Sequence, residues 1–312
     1  MKRRIDEINM DNKKVVIILG TYNGEKYVEE QLLSIINQSY KNIEIIVRDD
    51  GSTDGTMDIL RRYESQRKIR LLVGNNIGFM DNYRLLISCE DEADYYSFAD
   101  QDDIWMEDKI ERAVSALEKM KKDGNDVVLY FCEFDYYDAE MKFLACRKKL
   151  KRNIDFMYSL VNFSNYAFTC VLSKELRNLL LQMPAEANYH PDYLCLQLAT
   201  AFGSVHYDET ALVKYRRHDS NVSITQHDFV KFQIWRVKTF LTNKVNLKEK
   251  WLYFRKTYGD RLNANDKKVL SWFTNEKYHA GYALQKLFYP KRYRETFFDE
   301  FALRCLFLVG KF

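Results

Sequence analysis

Ser97-Phe98-Ala99-Asp100-Gln101-Asp102-Asp103-Ile104-Trp105 places three carboxylates within four positions, directly behind the aromatic pair Tyr95-Tyr96. The apolar run from Tyr95 to Ala99 predicts a buried strand with the acids at its carboxyl end. In open α/β sheets, ligands bind in the crevice outside that edge. Carboxylates this close repel one another, and a divalent cation relieves the repulsion. A solvated acidic turn would explain the cluster equally well, so the flanking chain has to decide.

Working outward, the first 130 residues alternate strand and helix patterns. Val15 to Leu19 is an apolar run ending at Gly20, and Val28, Leu32, Ile35 and Ile36 then recur at helical spacing. Ile43 to Val47 predicts the second strand, and Asp49-Asp50-Gly51-Ser52 turns into a helix containing Met57, Ile59 and Leu60. Ile69 to Val73 is a third strand, Tyr95 to Ala99 the fourth and Val127 to Cys132 the fifth, with helices through Tyr83 to Ile87 and from about Glu107 to Met120. Continuous apolar strands separated by helices predict an α/β fold with a mostly parallel sheet flanked by helices. From about 133 to 225 the pattern is mixed, with helices expected at 173–182 and 191–202 and a strand pair near 205–215. Beyond about 226 a C-terminal helical region is expected, broken at Tyr258-Gly259-Asp260 and Tyr289-Pro290.

Length and charge set further bounds. The 312 residues can bury a full core, and three prolines with 22 Tyr and 20 Phe suit a globular chain. Six scattered cysteines without CxxC spacing read as reduced, mostly packed thiols rather than a zinc site. Met1 to Asn12 is polar, unlike a signal peptide, and no run reaches the ~20 apolar residues of a membrane span. A cytoplasmic location is expected, with no nucleic-acid partner. The formal net charge of +3 hides an asymmetry: residues 231–312 hold 18 Lys+Arg against 7 Asp+Glu, and the remainder 30 against 38. The two parts therefore imply different partners. There is no GxGxxG after the first strand and no Walker lysine loop, which disfavours a dinucleotide-binding or P-loop enzyme.

Three strand ends offer polar groups to one sheet edge: Gly20-Thr21-Tyr22-Asn23-Gly24, Val47-Arg48-Asp49-Asp50-Gly51-Ser52-Thr53-Asp54-Gly55-Thr56 and Asp100-Gln101-Asp102-Asp103-Ile104-Trp105. Together, over residues 14 to about 220, these blocks resemble family 2 glycosyltransferases with the GT-A fold. The Asp-Gln-Asp-Asp-Ile-Trp form looks most like the bacterial rhamnosyltransferase-like branch. The resemblance implies a GT-A catalytic domain over 1–225, with a nucleotide-sugar half at about 1–130 and an acceptor half at about 131–225. A basic helical region over 226–312 follows.

The same resemblance assigns roles. Thr21, Tyr22, Asn23 and Asp50 would hold the nucleotide, Asp50 accepting from the N3–H of uracil or thymine, which cytosine lacks. Glu25 joins them or favours the start of its helix. Asp49 and Ser52 read as caps of the following helix. Asp102 matches the metal-binding aspartate of the DxD motif, with Mg2+ or Mn2+ as cofactor. Asp100 and Asp103 would serve the sugar hydroxyls or support the metal site, Asp103 alternatively capping a helix, and Trp105 packs. Asp192, in His190-Pro191-Asp192-Tyr193, stands where relatives carry the general base, although Pro191 replaces a common His and an N-cap role fits the same position. Tyr215-Arg216-Arg217-His218 resembles a Tyr-Arg-x-His block, so Arg216, Arg217 and His218 would neutralise the departing diphosphate, a surface basic turn being the alternative. Asn165 to Cys170 departs from the Thr-Gly-Cys of relatives, and no acceptor role is transferred to it.

The expected activity is inverting, metal-dependent transfer from a UDP- or dTDP-sugar, L-rhamnose being one candidate, to a lipid-linked oligosaccharide or other glycan of a bacterial surface polysaccharide. A nucleotidyltransferase and a non-catalytic sugar-nucleotide-binding scaffold are the rivals. Residues 291–312 combine cations with apolar side chains and predict either attachment to an anionic membrane surface, peripheral at the inner face of the plasma membrane, or packing on the protein itself or in a homodimer.

Overall fold

Val15 to Leu19 are completely buried in strand β1 (Val15–Thr21). Successive strand residues face opposite ways, so a strand covered on both sides is apolar at every position. The computed structural model describes residues 12–89, 92–162, 164–218, 247–275 and 279–308. Val15, Ile17 and Leu19 share one core with Val28, Leu32 and Ile35 of helix α1 (Val28–Ile36). Strands β2 (Ile43–Asp49) and β4 (Tyr95–Ala99) flank β1 in parallel, and β3 (Arg70–Val73) extends β2 in parallel. Helices α2 (Thr56–Ser65) and α3 (Phe79–Ser88) lie between these strands in the chain. The register sets Thr21 beside Asp49 and Leu19 beside Ala99, which brings three carboxyl-terminal strand ends to one edge.

The remaining elements of the first unit are β5 (Ile104–Trp105), α4 (Lys109–Lys122), β6 (Val128–Tyr137), β7 (Phe143–Cys146), α5 (Phe156–Val161), β8 (Cys170–Ser173), α6 (Lys174–Leu180), α7 (Pro191–Phe202) and β9 (Ser204–Arg216). Among the described residues the sheet has nine strands in the order β3-β2-β1-β4-β8-β6-β9-β5, with β7 on β6. Parallel pairing is interrupted at β4: β8 runs antiparallel between β4 and β6, and β6 and β9 then pair in parallel again. The fifth expected strand therefore does not adjoin the fourth.

The strand pair expected near 205–215 is instead one strand. Cys132 pairs with Asp208 and Glu133 with Ala211, so Glu209 and Thr210 bulge out of the ladder. The Asp208 carboxylate holds the bulge by accepting from the Thr210 N–H at 2.9 Å, and the polar triplet imitates a turn in the sequence. Gly203 precedes β9 because a Cβ there would sit 1.7 Å from the Val127 carbonyl oxygen. Of the six thiols, Cys132, Cys170 and Cys195 are buried, whereas Cys146 and Cys305 are exposed, so the expectation of packed cysteines holds for half.

The chain forms two compact units, one of residues 1–184 and 188–216, the other of 185–187 and 217–312. The described helices of the second are α8 (Leu247–Tyr258), α9 (Ala264–Ser271), α10 (Ala280–Leu287) and α11 (Phe297–Leu308). A 3-10 turn at Gly259–Arg261 makes the break expected after Tyr258. Trp251, Phe254, Tyr258, Phe273, Tyr293 and Phe307 are buried in this unit. Lys286 is buried with them, its Nζ 5.0 Å from the Phe273 and Phe307 ring centres, and burial pushes it down to about 8. The helix expected from 226 to 246 lies outside the described residues. Among the described residues no helix is long and apolar enough to cross a membrane.

Candidate functional site

The ends of β1 and β2 are stitched together by side chains. Asp49, fully buried, accepts from the Thr21 hydroxyl at 3.0 Å, from the N–H groups of Gly51 (3.1 Å) and Ser52 (2.8 Å), and from the Ser52 hydroxyl at 2.5 Å. This corrects the expectation that Asp49 and Ser52 cap the next helix. Its N-cap residue is Gly55, and the Thr56 N–H goes to Asp54 instead. Gly51 sits at φ 81° and Asn23 at φ 47°, the left-handed conformation that Gly and Asn tolerate.

The second layer of stitching joins the Tyr22–Glu25 turn to the Ser52–Thr56 turn. The Asn23 N–H donates to the Ser52 hydroxyl at 2.8 Å, and Asn23 Oδ1 accepts from the Thr53 N–H at 2.8 Å. The Glu25 carboxylate accepts from the Gly55 N–H at 3.0 Å, so it ties one turn to the other and does not start the α1 helix, which begins at Val28. Tyr22 leaves its ring exposed while its backbone is held by Gln101, a residue that sequence reasoning passed over.

Asp50 lies one residue past the strand, its N–H donating to the Thr21 carbonyl at 2.8 Å. Its carboxylate accepts from Arg48 Nη1 at 2.6 Å and from the Ile77 and Gly78 N–H groups at 2.9 Å each. Burial alone would raise its pKa, but the Arg48 guanidinium and these two amides outweigh it and hold the carboxyl below its ordinary value. Arg48, two residues earlier and inside β2, is buried and also donates to the Asn75 carbonyl at 3.1 Å.

Past β4, the three acids separate in role. Asp100 accepts from the Tyr83 hydroxyl at 2.9 Å. It is pushed up to about 7, first by burial and then by the charge of Asp102, with Asp192 adding to the effect and the Tyr83 hydrogen bond opposing it. Asp103 is buried and accepts from the Arg216 N–H at 3.1 Å through Oδ1, while its buried Oδ2 has no hydrogen-bond partner. Burial, then the charges of Asp102 and Asp100, raise it well above the ordinary carboxylate range. It caps no helix, since the next one, α4, follows Asp108. Trp105 is buried as expected, with Lys109 Nζ 3.4 Å from its ring centre.

Asp192 is the second residue of α7, behind Pro191, and the N-cap position belongs to His190. Its Oδ1 accepts from the Tyr193 N–H at 2.8 Å, and its backbone carbonyl accepts from Asn165 Nδ2 at 2.7 Å. Asp50, Asp100 and Asp102 therefore line one sheet edge, and the Asp192 charge acts on Asp100 from another element.

Arg216 is buried and engaged with protein oxygens: Nε donates to the Asp102 carbonyl at 2.9 Å, Nη1 to the Ala139 carbonyl at 2.8 Å, and Nη2 pairs with Glu30. It fixes the acidic loop to β9, a role the sequence reading did not assign. Arg217 and His218 follow it and group with the second unit, so the four-residue basic block is divided.

The family model for glycosyl transferase family 2 matches residues 16–173, just over half of the chain. The chain belongs to glycosyl transferase family 2. It is 30% identical to a dTDP-rhamnosyl transferase of Shigella flexneri over 227 residues, 65% of this chain and 72% of that protein. An uncharacterized glycosyltransferase of Rickettsia typhi is 29% identical over 216 residues, 68% of this chain and 66% of the relative. Among solved structures, Staphylococcus aureus TarS residues 1–349 with UDP superposes with a TM-score of 0.54 at 16% identity, covering 88% of this chain and 78% of that one. The same protein with UDP-GlcNAc gives a TM-score of 0.56 at 18% identity, covering 87% and 76%. At such identities the likeness shows the fold, the GT-A arrangement, for this family 2 glycosyltransferase.

Proposed function

We propose that this glycosyltransferase moves a sugar from a dTDP- or UDP-linked donor to a hydroxyl of a glycan acceptor, carried on a lipid, with inversion at the anomeric carbon. The observation that carries the reading is geometric: the parallel register brings the ends of β1, β2 and β4 to one edge, where the Tyr22–Asn23 turn, Asp50 and the Asp100–Asp103 loop meet and Gln101 bonds the Tyr22 backbone. Support for the nucleotide comes from the relative named as a dTDP-rhamnosyl transferase and from the UDP and UDP-GlcNAc complexes of the TarS fold neighbour. L-Rhamnose is the sugar we favour.

In this proposal Asp50 reads the pyrimidine edge. A carboxylate offers about four lone-pair sites, and three are already filled by Arg48, Ile77 and Gly78, so one acceptor site remains for an imide N–H. The Tyr22–Asn23 turn, clamped by Gln101 and Ser52, forms the adjoining wall. Asp192 takes the proton from the acceptor hydroxyl as that oxygen attacks. Direct displacement needs no protein nucleophile.

The acidic loop fits a divalent cation. Asp103 Oδ2 is buried without a partner, and burial plus mutual repulsion raise Asp100 and Asp103. Among the described residues no group of three or more His, Cys, Asp or Glu could hold a metal ion, so the cation of this proposal rests on one carboxylate, Asp102, and on the donor's phosphates. Mg2+ or Mn2+ bound there would stabilise negative charge on the leaving diphosphate.

A donor-hydrolysis screen across UDP- and dTDP-sugars with Mn2+ or Mg2+ tests the reading. Release of UDP or dTDP from at least one donor is expected. Tight nucleotide binding without turnover on any donor and acceptor would make the chain a binding scaffold, and pyrophosphate release from a nucleoside triphosphate would make it a nucleotidyltransferase.

A further inference from the structure

Helix α11 is apolar on two faces. Leu303 and Phe307 are buried in the second unit, yet Phe297, Phe298, Phe301 and Leu308 are 80%, 68%, 70% and 45% exposed. Spacings of three and four residues line up Phe297 or Phe298 with Phe301, and Phe301 through Cys305 with Leu308, in one outward stripe. A helix at a protein's surface ordinarily turns polar side chains outward. Scattered exposed apolar residues need no explanation, but three phenylalanines within five positions form a patch of the kind that marks an interaction site. Helix α10 repeats the pattern at its end, where Leu284 and Phe288 are 49% and 74% exposed.

Positive charge accompanies the stripe. The Arg292 guanidinium lies 4.4 Å from the Phe297 ring centre, and Lys291 and Arg294 flank it in the chain. The acids of the segment offset this only in part. Glu300 is buried and committed to Arg304 at 2.6 Å and to the N–H groups of Tyr293 and Arg294 at 2.7 and 2.8 Å, and Glu295 and Asp299 are the other two acids of the segment.

We propose that the outward face of α11, with the end of α10, docks on an anionic bilayer surface. The phenylalanines enter the boundary between headgroups and acyl chains, and Lys291, Arg292 and Arg294 lie against anionic headgroups. Charge complementarity selects lipid over a second copy of the chain, because like copies would bring these cations together whereas anionic headgroups attract them. Docking goes beyond the proposed transfer reaction and does not depend on it. It would hold the enzyme at the surface where lipid-borne substrates reside.

Flotation of the full-length protein with phosphatidylcholine vesicles, with and without phosphatidylglycerol, tests the proposal. Binding to the anionic vesicles only is expected, weakening as salt is raised. Replacing Lys291 and Arg294 together by Gln should weaken it roughly 25-fold, about fivefold per cation. Replacing Phe298 and Phe301 by Ser should abolish binding while circular dichroism and UDP affinity stay unchanged. Because the Lys291→Gln/Arg294→Gln variant leaves every apolar side chain in place, it decides the matter if the Ser variant misfolds. Equal binding to neutral vesicles, or none to either, overturns the proposal. So does a dimer in sedimentation that the Phe substitutions dissolve, since the stripe is then an interface between copies.

Discussion

Gln101 and Tyr22 exchange two hydrogen bonds across 79 positions of sequence: the Tyr22 N–H donates to Gln101 Oε1 at 2.9 Å, and Gln101 Nε2 donates to the Tyr22 carbonyl at 3.1 Å. Gln101 stands between Asp100 and Asp102, so this pair couples the first turn of the site to the acidic loop. Gly24 makes room for it, because a Cβ there would lie 2.4 Å from Gln101 Oε1. Gln101→Ala removes both bonds, each worth about 0.5–1.5 kcal/mol net. Calorimetry should show UDP binding weakened by roughly tenfold, with a melting temperature close to that of the wild type because the pair is exposed. Unchanged affinity would separate the two loops functionally.

The fourth acceptor site on Asp50 predicts nucleotide choice. UDP and dTDP should bind far better than CDP, which has no imide N–H to donate. Equal affinity for UDP and CDP would remove Asp50 from the base edge. Asp50→Asn carries a separate cost, since it leaves the buried Arg48 without its anionic partner. Breaking a buried pair in this way costs about 3–5 kcal/mol, so the variant should melt well below the wild type even without ligand.

Asp102→Asn should abolish metal-dependent turnover and leave the fold intact, because Asp102 is only partly buried and its backbone carbonyl, which a side-chain change spares, is what Arg216 holds. Circular dichroism and a turnover assay with Mn2+ check the two halves. Full wild-type activity in excess chelator would argue against the metal.

Lys109 gives a pH dependence. It is completely buried, its Nζ 3.4 Å from Ser97 Oγ, and burial lowers it to about 8 from an ordinary 10.5. Between those values the unfolded chain binds more protons than the folded one, so stability rises with pH through this window. Below pH 8 both states are protonated and the full penalty of about 3 kcal/mol applies. Lys109→Met should therefore melt higher than the wild type at pH 7, with the gap closing as pH approaches 10.5. Thermal melts at both pH values would show it, and a variant less stable at pH 7 would mean that the contacts with Trp105 and Ser97 outweigh the buried charge.

The sequence disclosed the parallel half of the fold because Val15 to Leu19 of β1 are apolar on both faces and β4 is interrupted only by Ser97, the pattern of a sheet covered on both sides. It hid β8, whose four residues Cys170–Ser173 are too few for any periodicity, and it disguised β9 through the turn-like Asp208-Glu209-Thr210. The site divides in the same way. Asp50, Asp102 and Asp192 were legible from motifs at strand and helix ends. Arg48 could have been found, since a cation two residues before Asp50 at a strand end can reach its carboxylate. Gln101, Tyr83 and Asn165 gave no local signal, because each acts through a contact with a distant segment. Arg216 was legible as a cation beside the site, but only the structure spends its guanidinium on Asp102, Ala139 and Glu30.

Asp192→Asn separates the base from the binding machinery. The substitution keeps an oxygen that can accept from the Tyr193 N–H, and the backbone carbonyl held by Asn165 is untouched, so the start of α7 should survive. What the amide lacks is the ability to take a proton from an acceptor hydroxyl. Transfer should fall by a factor on the order of 10²–10⁴, the usual contribution of a general base. Donor affinity should stay within about twofold, because α7 faces the acceptor in this reading. Turnover measured beside UDP calorimetry distinguishes the possibilities. Loss of nucleotide binding would place Asp192 in the donor site, and undiminished transfer would require another group to accept the proton.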